Sequence, residues 1–500
     1  MSSSDTPPLD ASLEAHRLVA HFLRSHRYSA SLASFLDDSA ETHPRLAHVL
    51  HLEETAGSPR HAGQDLQDVV DSWVASRMAR LKVDDPTQSL RDNLDGLEYS
   101  DSGEPAPART AFREPSNVLT VTRGILPRRQ WDSSELRFRT DEVPCIFTTA
   151  VDRTLKVYSS STFDLLDSFS LPSPALSVAQ HPLEDCRRFV LCATMEGSLT
   201  VIDLVSREVK ARVKDHNKYI VRAAWSPDGR YIATLGYDKL VLIYAITLSA
   251  PSSDSTAEIP ALLDDEGPDP LATCPDVSLV LENSITSKSN PEAAVWLPDS
   301  KWLVWSARED HLLRYVRVPG EGDAGAWKAT EYNLNENGDA FVSFSILSIG
   351  LHPSLPLLSL QTSTASARIL LYPFHSPTRL LTLHTTASQS DYFNPRHAWL
   401  PDGSAAVVNS EDGIVRIVDL RGRVCLAAGA HGSAAPPDEG DDADAAPALR
   451  SERARLRREA DKGSSVVRDV EVLVDEDPAA VPRRWRIVSC GFDKTVKVIE

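Results

Sequence analysis

The chain has 500 residues, 42% of them apolar, which is enough for one large core and a smaller module. Its formal net charge of -19 repels nucleic-acid phosphates, and its basic clusters (Arg128-Arg129 and 450–458) are short, so direct nucleic-acid binding is excluded. No apolar run approaches the length of a membrane span and the polar start MSSSDTPP carries no apolar signal core. The expectation is a soluble protein of the cytosol or nucleus, without membrane insertion.

In chain order, the first elements are helical. Leu13, Leu18, Val19, Phe22 and Leu23 recur at helical spacing; after a break at Ser25-His26-Arg27, Tyr28, Leu32, Ala33, Phe35 and Leu36 resume it, with Ser29 as the expected N-cap. Two helices joined this tightly form an αα-hairpin, and so small a module needs a partner for its apolar face. The order Leu18, Phe22-Leu23, Tyr28, Ser31-Leu32, Phe35 resembles the LisH motif over residues 11–39, with Arg27 where that family usually has Gly. The resemblance implies a homodimer with Leu18, Phe22, Leu23, Tyr28, Leu32 and Phe35 in its core. A helical extension is expected over 43–83, where Leu66, Val69, Val70, Trp73, Val74, Met78 and Leu81 share one stripe. Residues 84–112, with Asp84, Asp85, Asp92, Asp95, Asp101, Pro105 and Pro107, are read as an acidic flexible linker.

From residue 113 onward the sequence repeats. The phrase Trp225–Gly229 (WSPDG) returns as Trp296–Ser300 (WLPDS) and Trp399–Gly403 (WLPDG), and His181-Pro182 and His352-Pro353 are looser copies. Seven runs close the units: Leu155–Tyr158, Leu199–Asp203, Leu240–Tyr244, Leu312–Val316, Ile369–Tyr372, Ile414–Asp419 and Thr495–Ile499. Asp152, Asp238, Asp310, Asp412 and Asp493 precede five of them. A carboxylate there suits a tight turn between antiparallel strands, because it accepts local backbone N–H groups. Runs such as Val209–Val213, Arg379–Leu383 and Val424–Ala427 supply a fourth strand.

Four strands per unit and seven units resemble a WD-repeat β-propeller, the stretch from His216 through WSPDG, Asp238 and Tyr244 following that pattern most fully. Tyr158, Tyr244 and Tyr372, or Val316, Val418 and Ile499, stand where that family has a strand Trp, leaving its His–Ser–Asp–Trp network incomplete in every blade. The fold class is therefore mainly β, a seven-bladed propeller over 113–500 with a small N-terminal helical module. Disordered inserts are expected at 249–275 and 432–464. Because the chain stops as the seventh unit's third strand ends, the segment Asn117–Arg123 is expected to supply its outermost strand.

No catalytic motif is present: neither a phosphate-cradling glycine loop nor a nucleophile elbow nor a zinc-binding helix signature. The six cysteines are far apart, and Cys186, Cys192 and His181 lack the paired spacing of a zinc site, so no metal and no cofactor are expected. The functional expectation is a non-enzymatic, dimeric scaffold or adaptor for protein partners. LisH and WD-repeat proteins include dynein regulators, corepressor subunits, splicing factors and ubiquitin-ligase subunits. The ligase alternative rests on VVNSEDGIVRIVDLR (407–421), which resembles the box that some substrate receptors present to a cullin-4 ligase adaptor, with Asp412, Asp419 and Arg421 in place and Val418 where the box has Trp. A propeller hydrolase is the remote alternative.

Overall fold

The computed structural model describes residues 16–46 in part and, from residue 87 onward, all but 100–106, 135–136, 250–274, 321–325, 336–337, 391–392, 433–464 and 475–484. All but the end residues of the two expected inserts and nearly all of the 43–83 extension thus lie outside the described residues, as does Leu18. The chain divides into two units, Met1–Gln88 and Ser89–Glu500.

In the first unit, helical residues between His16 and Arg24 precede α1 (Ser29–Ser39). Arg27 takes φ 60° in the joint, so the left-handed turn is made although no glycine stands there. Ser29 is not the cap: it is the first helical residue, and Tyr28 holds the cap position without a side-chain hydrogen bond. Leu32, Phe35 and Leu36 pack on buried Ala20 and Leu46, and the Phe35 ring stacks on His16 at 5.6 Å. Phe22 and Leu23 are half-buried, while Tyr28 is exposed.

The second unit is a propeller of seven four-stranded antiparallel sheets. After α2 (Gln88–Asp95) and β1 (Arg109–Arg113), blade 1 is β2 (Val118–Asp132), β3 (Arg137–Ala150), β4 (Thr154–Ser159) and β5 (Leu165–Ser170). Blade 2 is β6 (Ala175–Gln180), β7 (Phe189–Thr194), β8 (Leu199–Asp203) and β9 (Glu208–Val213). Blade 3 is β10 (Ile220–Trp225), β11 (Tyr231–Gly236), β12 (Leu240–Ser249) and β13 (Asp276–Thr286). Blade 4 is β14 (Pro291–Trp296), β15 (Trp302–Ala307), β16 (Leu312–Arg317) and β17 (Lys328–Asn333). Blade 5 is β18 (Ile346–Leu351), β19 (Leu357–Thr362), β20 (Arg368–Pro373) and β21 (Leu381–His384). Blade 6 is β22 (His397–Trp399), β23 (Ala405–Val408), β24 (Ile414–Asp419) and β25 (Val424–Gly429). Blade 7 is β26 (Val467–Val474), β27 (Trp485–Gly491), β28 (Thr495–Ile499) and, outermost, β1.

The first strand of each blade touches the first strands of its neighbours, so these seven line the axis. Six of them carry a bulge after their first residue, as between Ile220 and Arg222 or Val467 and Asp469. A bulge sharpens the twist at the point where the strand enters the ring. The apolar residues are not gathered in one centre. They form seven clusters, each at one seam between adjacent blades, from Phe147, Leu155 and Val190 between blades 1 and 2 to Val121, Ile146 and Val488 between blades 7 and 1. Burying both faces of every sheet in this way leaves polar and charged side chains to line the axis.

Two expectations need correction. The strand that completes blade 7 is β1, whose Arg109 and Arg113 face Val498 and Thr495; Asn117–Arg123 instead falls mostly in β2, the innermost strand of blade 1. An outermost strand exposes one face and needs few apolar residues, which suits RTAFR, whereas Val118, Leu119 and Val121 are buried. Nor is 84–112 simply linker. Within it α2 sets Leu90 and Leu94, followed by Leu97, on the seam between blades 5 and 6, and the Arg91 guanidinium donates to Leu380 O at 3.0 Å. Asp92 and Asp95, two of the acidic residues that suggest a linker, lie between these leucines and are exposed, on the helix's other side. Among the described residues no helix is long and apolar enough to cross a membrane.

Candidate functional site: the upper face and the channel mouth

In every blade the turn between the second and third strands, and the connection to the next blade, lie at the same end of the ring, here called the upper face. The five turn aspartates all stand there. Each accepts a backbone N–H two residues on: Thr154 for Asp152, Leu240 for Asp238, Leu312 for Asp310, Ile414 for Asp412 and Thr495 for Asp493, at 3.0 to 3.3 Å. Their other partners divide them into two sets. Asp152, Asp310 and Asp412 pair with a cation four residues later, Lys156, Arg314 and Arg416. Asp238 and Asp493 pair with histidines from the connection before their blade.

Those histidines form a repeated trio. His216 places Nδ1 3.0 Å from Asp238 and Nε2 2.9 Å from Thr234 Oγ1; His431 places Nδ1 2.9 Å from Asp493 and Nε2 2.9 Å from Ser489 Oγ. The second has the composition of a hydrolase triad. Its chemistry is blocked by burial, since Ser489 and Thr234 are both 0% exposed and no substrate can reach either hydroxyl. The trio is a clasp holding the inter-blade connection to the turn. Burial pushes the Asp238 and Asp493 carboxyls up, but the histidine and backbone hydrogen bonds outweigh it and hold both below the usual range. The resemblance to the WD-repeat pattern sets His216 with Asp238; nothing in the sequence sets His431 with Asp493, which the 433–464 stretch separates.

The lower face carries the Pro-Asp-Gly turns, and these lock blades to one another. The indole N–H of Trp225 donates to Ala179 O of the preceding blade, that of Trp296 to Ala224 O and that of Trp399 to Ser359 Oγ, at 3.0 to 3.2 Å. The His181 ring sits 4.6 Å from Trp225 and the His352 ring 4.7 Å from Trp399. His181 and His352 stand so close to Gly229 and Gly403 that a Cβ on either glycine would lie 2.3 Å from the ring.

At the centre of the upper face a polar belt rims the axial channel. Tyr219 and Tyr237 stack at 4.3 Å, the Tyr237 hydroxyl donates to Glu292 at 2.6 Å, and Arg308 reaches from Glu292 (3.1 Å) to Asn394 Oδ1 (3.0 Å). Asn409 continues the belt, accepting from Arg396 N–H at 2.7 Å and donating to the carbonyls of Val467 and Arg468. The belt therefore joins blades 3, 4, 6 and 7 through side chains, fixing the mouth as a rigid frame. Around it the upper-face loops display apolar side chains: Val151 and Met195 on turns, and Phe341 (74% exposed) and Val342 on the connection into blade 5.

The ligase-adaptor candidates lie elsewhere. Asp419 is buried, accepting the N–H groups of Arg421 and Arg423 and the Arg423 guanidinium, while Arg421 extends to Glu98 at 2.6 Å as an exposed pair. Among the described residues no group of three or more His, Cys, Asp or Glu side chains is placed to hold a metal. Cys145, Cys192 and Cys490 are buried and free; burial pushes all three thiols up, Cys192 to about 12.

Residues 207–244 match the family model described as WD domain, G-beta repeat. This stretch is a WD40 repeat. It spans β9, the outermost strand of blade 2, and the first strands of blade 3, so the WD40 repeat is offset from the blade by one strand. It also contains the whole His216–Thr234–Asp238 clasp and Tyr244, whose hydroxyl donates to Asp215 at 3.1 Å where a WD40 repeat would have Trp. The chain is 30% identical over 95 residues to echinoderm microtubule-associated protein-like 2 of Rattus norvegicus, covering 19% of this chain and 14% of that protein. The Mus musculus counterpart is 29% identical over 99 residues, 20% of this chain and 15% of that protein. A probable cytosolic Fe-S cluster assembly factor of Schizosaccharomyces pombe is 28% identical over 110 residues, 21% and 18%. The chain thus spans 14% to 18% of the length of these curated relatives, a range of a few repeats.

Proposed function

We propose that the protein is a non-enzymatic scaffold or adaptor that holds protein partners on the upper face of its WD40 propeller. The observation that carries this reading is the pairing of a rigid, side-chain-braced rim with exposed Met195, Phe341 and Val342 and the half-buried Tyr219 and Tyr237 around it. Aromatic and Met side chains of this kind are enriched in protein interfaces. The turn aspartates have their charges taken up within the blades, so they do not repel a partner from the apolar side chains beside them. In this reading the N-terminal helices self-associate, Tyr28 meeting a second copy, so that two weak propeller contacts act together through effective concentration.

The test compares native protein with Met195→Glu/Phe341→Glu by affinity purification, each with its solution mass. Proteins lost only from the face variant are the expected result. Identical partner sets for native and variant protein would overturn the upper-face reading. Separately, Phe22→Glu/Leu32→Glu is expected to halve the solution mass, and an unchanged mass would remove the self-association.

A further inference from the structure

The channel holds a concentration of positive charge that the fold does not neutralise. Arg222 in β10 and Arg396, just before β22, occupy equivalent places in blades 3 and 6, three residues before Trp225 and Trp399. Arg468 is the bulged, unpaired residue of β26 in blade 7. Arg222 and Arg468 stand on axial strands and Arg396 at the entry to one, and the guanidinium groups of Arg222 and Arg468 are each within electrostatic reach of Arg396 across the ring. Among the described residues none of the three has a side-chain hydrogen-bond or ion-pair partner, and each is half-buried rather than sealed, so their donors line space that solvent can enter.

The neighbours leave a positive excess. Arg123 of β2 also faces this region, 3.9 Å from Glu471, and the carboxylates present are Asp469 and Glu471 of β26. Asp469 already accepts Thr120 Oγ1 and Val121 N–H through one oxygen. Glu292 is matched by Arg308. Four guanidinium groups against two carboxylates leave two uncompensated charges at the centre of a chain whose net charge is -19. Burial and then the Arg396 charge bring Arg222 down to about 10, and the same two causes lower Arg468. Such crowding of like charge costs stability unless an anion occupies the site.

We infer that the upper end of the channel binds a phosphoryl dianion, gripped by the unpaired guanidinium groups of Arg222, Arg396 and Arg468. Guanidinium forks match the oxygens of a phosphoryl group two at a time, which a simple halide cannot exploit. The mouth above it, framed by Tyr219, Tyr237 and Arg308, admits either a soluble phosphate ester or a phosphorylated side chain. This site stands apart from the apolar upper-face reading, and either can fail without the other.

The full-length protein is titrated with inorganic phosphate and with inositol hexakisphosphate at constant ionic strength, with chloride as the reference, by calorimetry and thermal melting. The native protein is expected to bind and to melt higher with phosphate. Arg222→Gln/Arg396→Gln should weaken binding at least tenfold, while Arg212→Gln, an exposed control, should leave it unchanged. In phosphate-free buffer the double variant should melt at or above the native temperature, because it removes repulsion and breaks no pair. Inositol hexakisphosphate binding far more tightly than phosphate assigns the site to a soluble polyphosphate, and comparable affinities assign it to a single phosphoryl group such as a partner's modified side chain. The inference is overturned by equal melting in phosphate and chloride, by retained binding in the double variant, or by a double variant and Arg468→Gln that both fail to fold.

Discussion

His397 makes the propeller acid-sensitive in a way that a single substitution isolates. Its ring, at the start of β22, receives the Ser359 hydroxyl at Nε2 (2.7 Å) and gives its Nδ1 proton to Gln361 Oε1 (3.2 Å), while the Trp399 indole donates to the same Ser359 oxygen. The network is complete only for the neutral imidazole. Burial, with the charges of Arg396 and Arg222, brings its pKa down from 6.5 to about 4. Below pH 6.5 the unfolded chain takes up a proton that the folded protein refuses, so stability falls as pH drops from 6.5 and levels off near 4; above 6.5 there is no contribution. At 1.36 kcal/mol per unit the full effect is about 3 kcal/mol. Urea unfolding of native protein and His397→Gln between pH 8 and 4.5 reads it directly. Native protein should be more stable by about 1 kcal/mol at pH 8, where the variant lacks the ring's hydrogen bonds, and that advantage should shrink and reverse on acidification. His181, His352 and His375 are depressed in the same direction and remain in both proteins. Parallel curves across the range would refute the reasoning.

Three further outcomes follow from the geometry. Deleting residues 107–113 removes β1 from β28 together with the Phe112 ring stacked at 3.7 Å on Tyr158; with net contributions of about 1 kcal/mol per hydrogen bond, several kcal/mol should be lost, and an unchanged melting temperature would show that β1 does not close the ring. Gly236→Ala places a Cβ 2.2 Å from His216 Nδ1 and 2.4 Å from Asp238 Oδ1, so the clasp must open at a cost of about 2 kcal/mol or more, measurable by denaturant unfolding, whereas Gly429→Ala, with open space around it, should cost far less. Arg421→Ala removes an exposed ion pair and should change stability by less than about 1 kcal/mol; loss of ligase components from a purification of that variant would favour the ubiquitin-ligase reading, and their absence from native and variant protein alike would oppose it.

The blades are legible in the sequence because their third strands are largely buried on both faces and so appear as runs of aliphatic and aromatic residues with at most one cation inside, from Leu155–Tyr158 to Thr495–Ile499. The turn aspartates are legible because the residues they serve are two positions away. What could not be read depends on distance along the chain. RTAFR looks unlike a strand worth closing a ring, because the outermost position asks little of its side chains; NVLTVTR looks like a better one for the same reason that it belongs inside. The histidine that serves Asp493 comes from residue 431, and Arg222 and Arg468 come within electrostatic reach of Arg396 only because three blades bring them to one axis. LisH-like spacing around Leu32 and Phe35 marks a hairpin but not what its exposed Tyr28 meets.

The pairing of β1 with β28 also sets an order of events during synthesis. Arg109–Arg113 is made before any blade, yet its only sheet partner is the last strand of the seventh. Through the making of six complete blades it has nothing to pair with, and the growing ring presents an open edge at each end. The ring closes only when Thr495–Ile499 leaves the ribosome, so a chain stopped short of that strand, however much of the propeller it contains, leaves both Arg109–Arg113 and Trp485–Gly491 with backbone groups unpaired that the closed ring pairs.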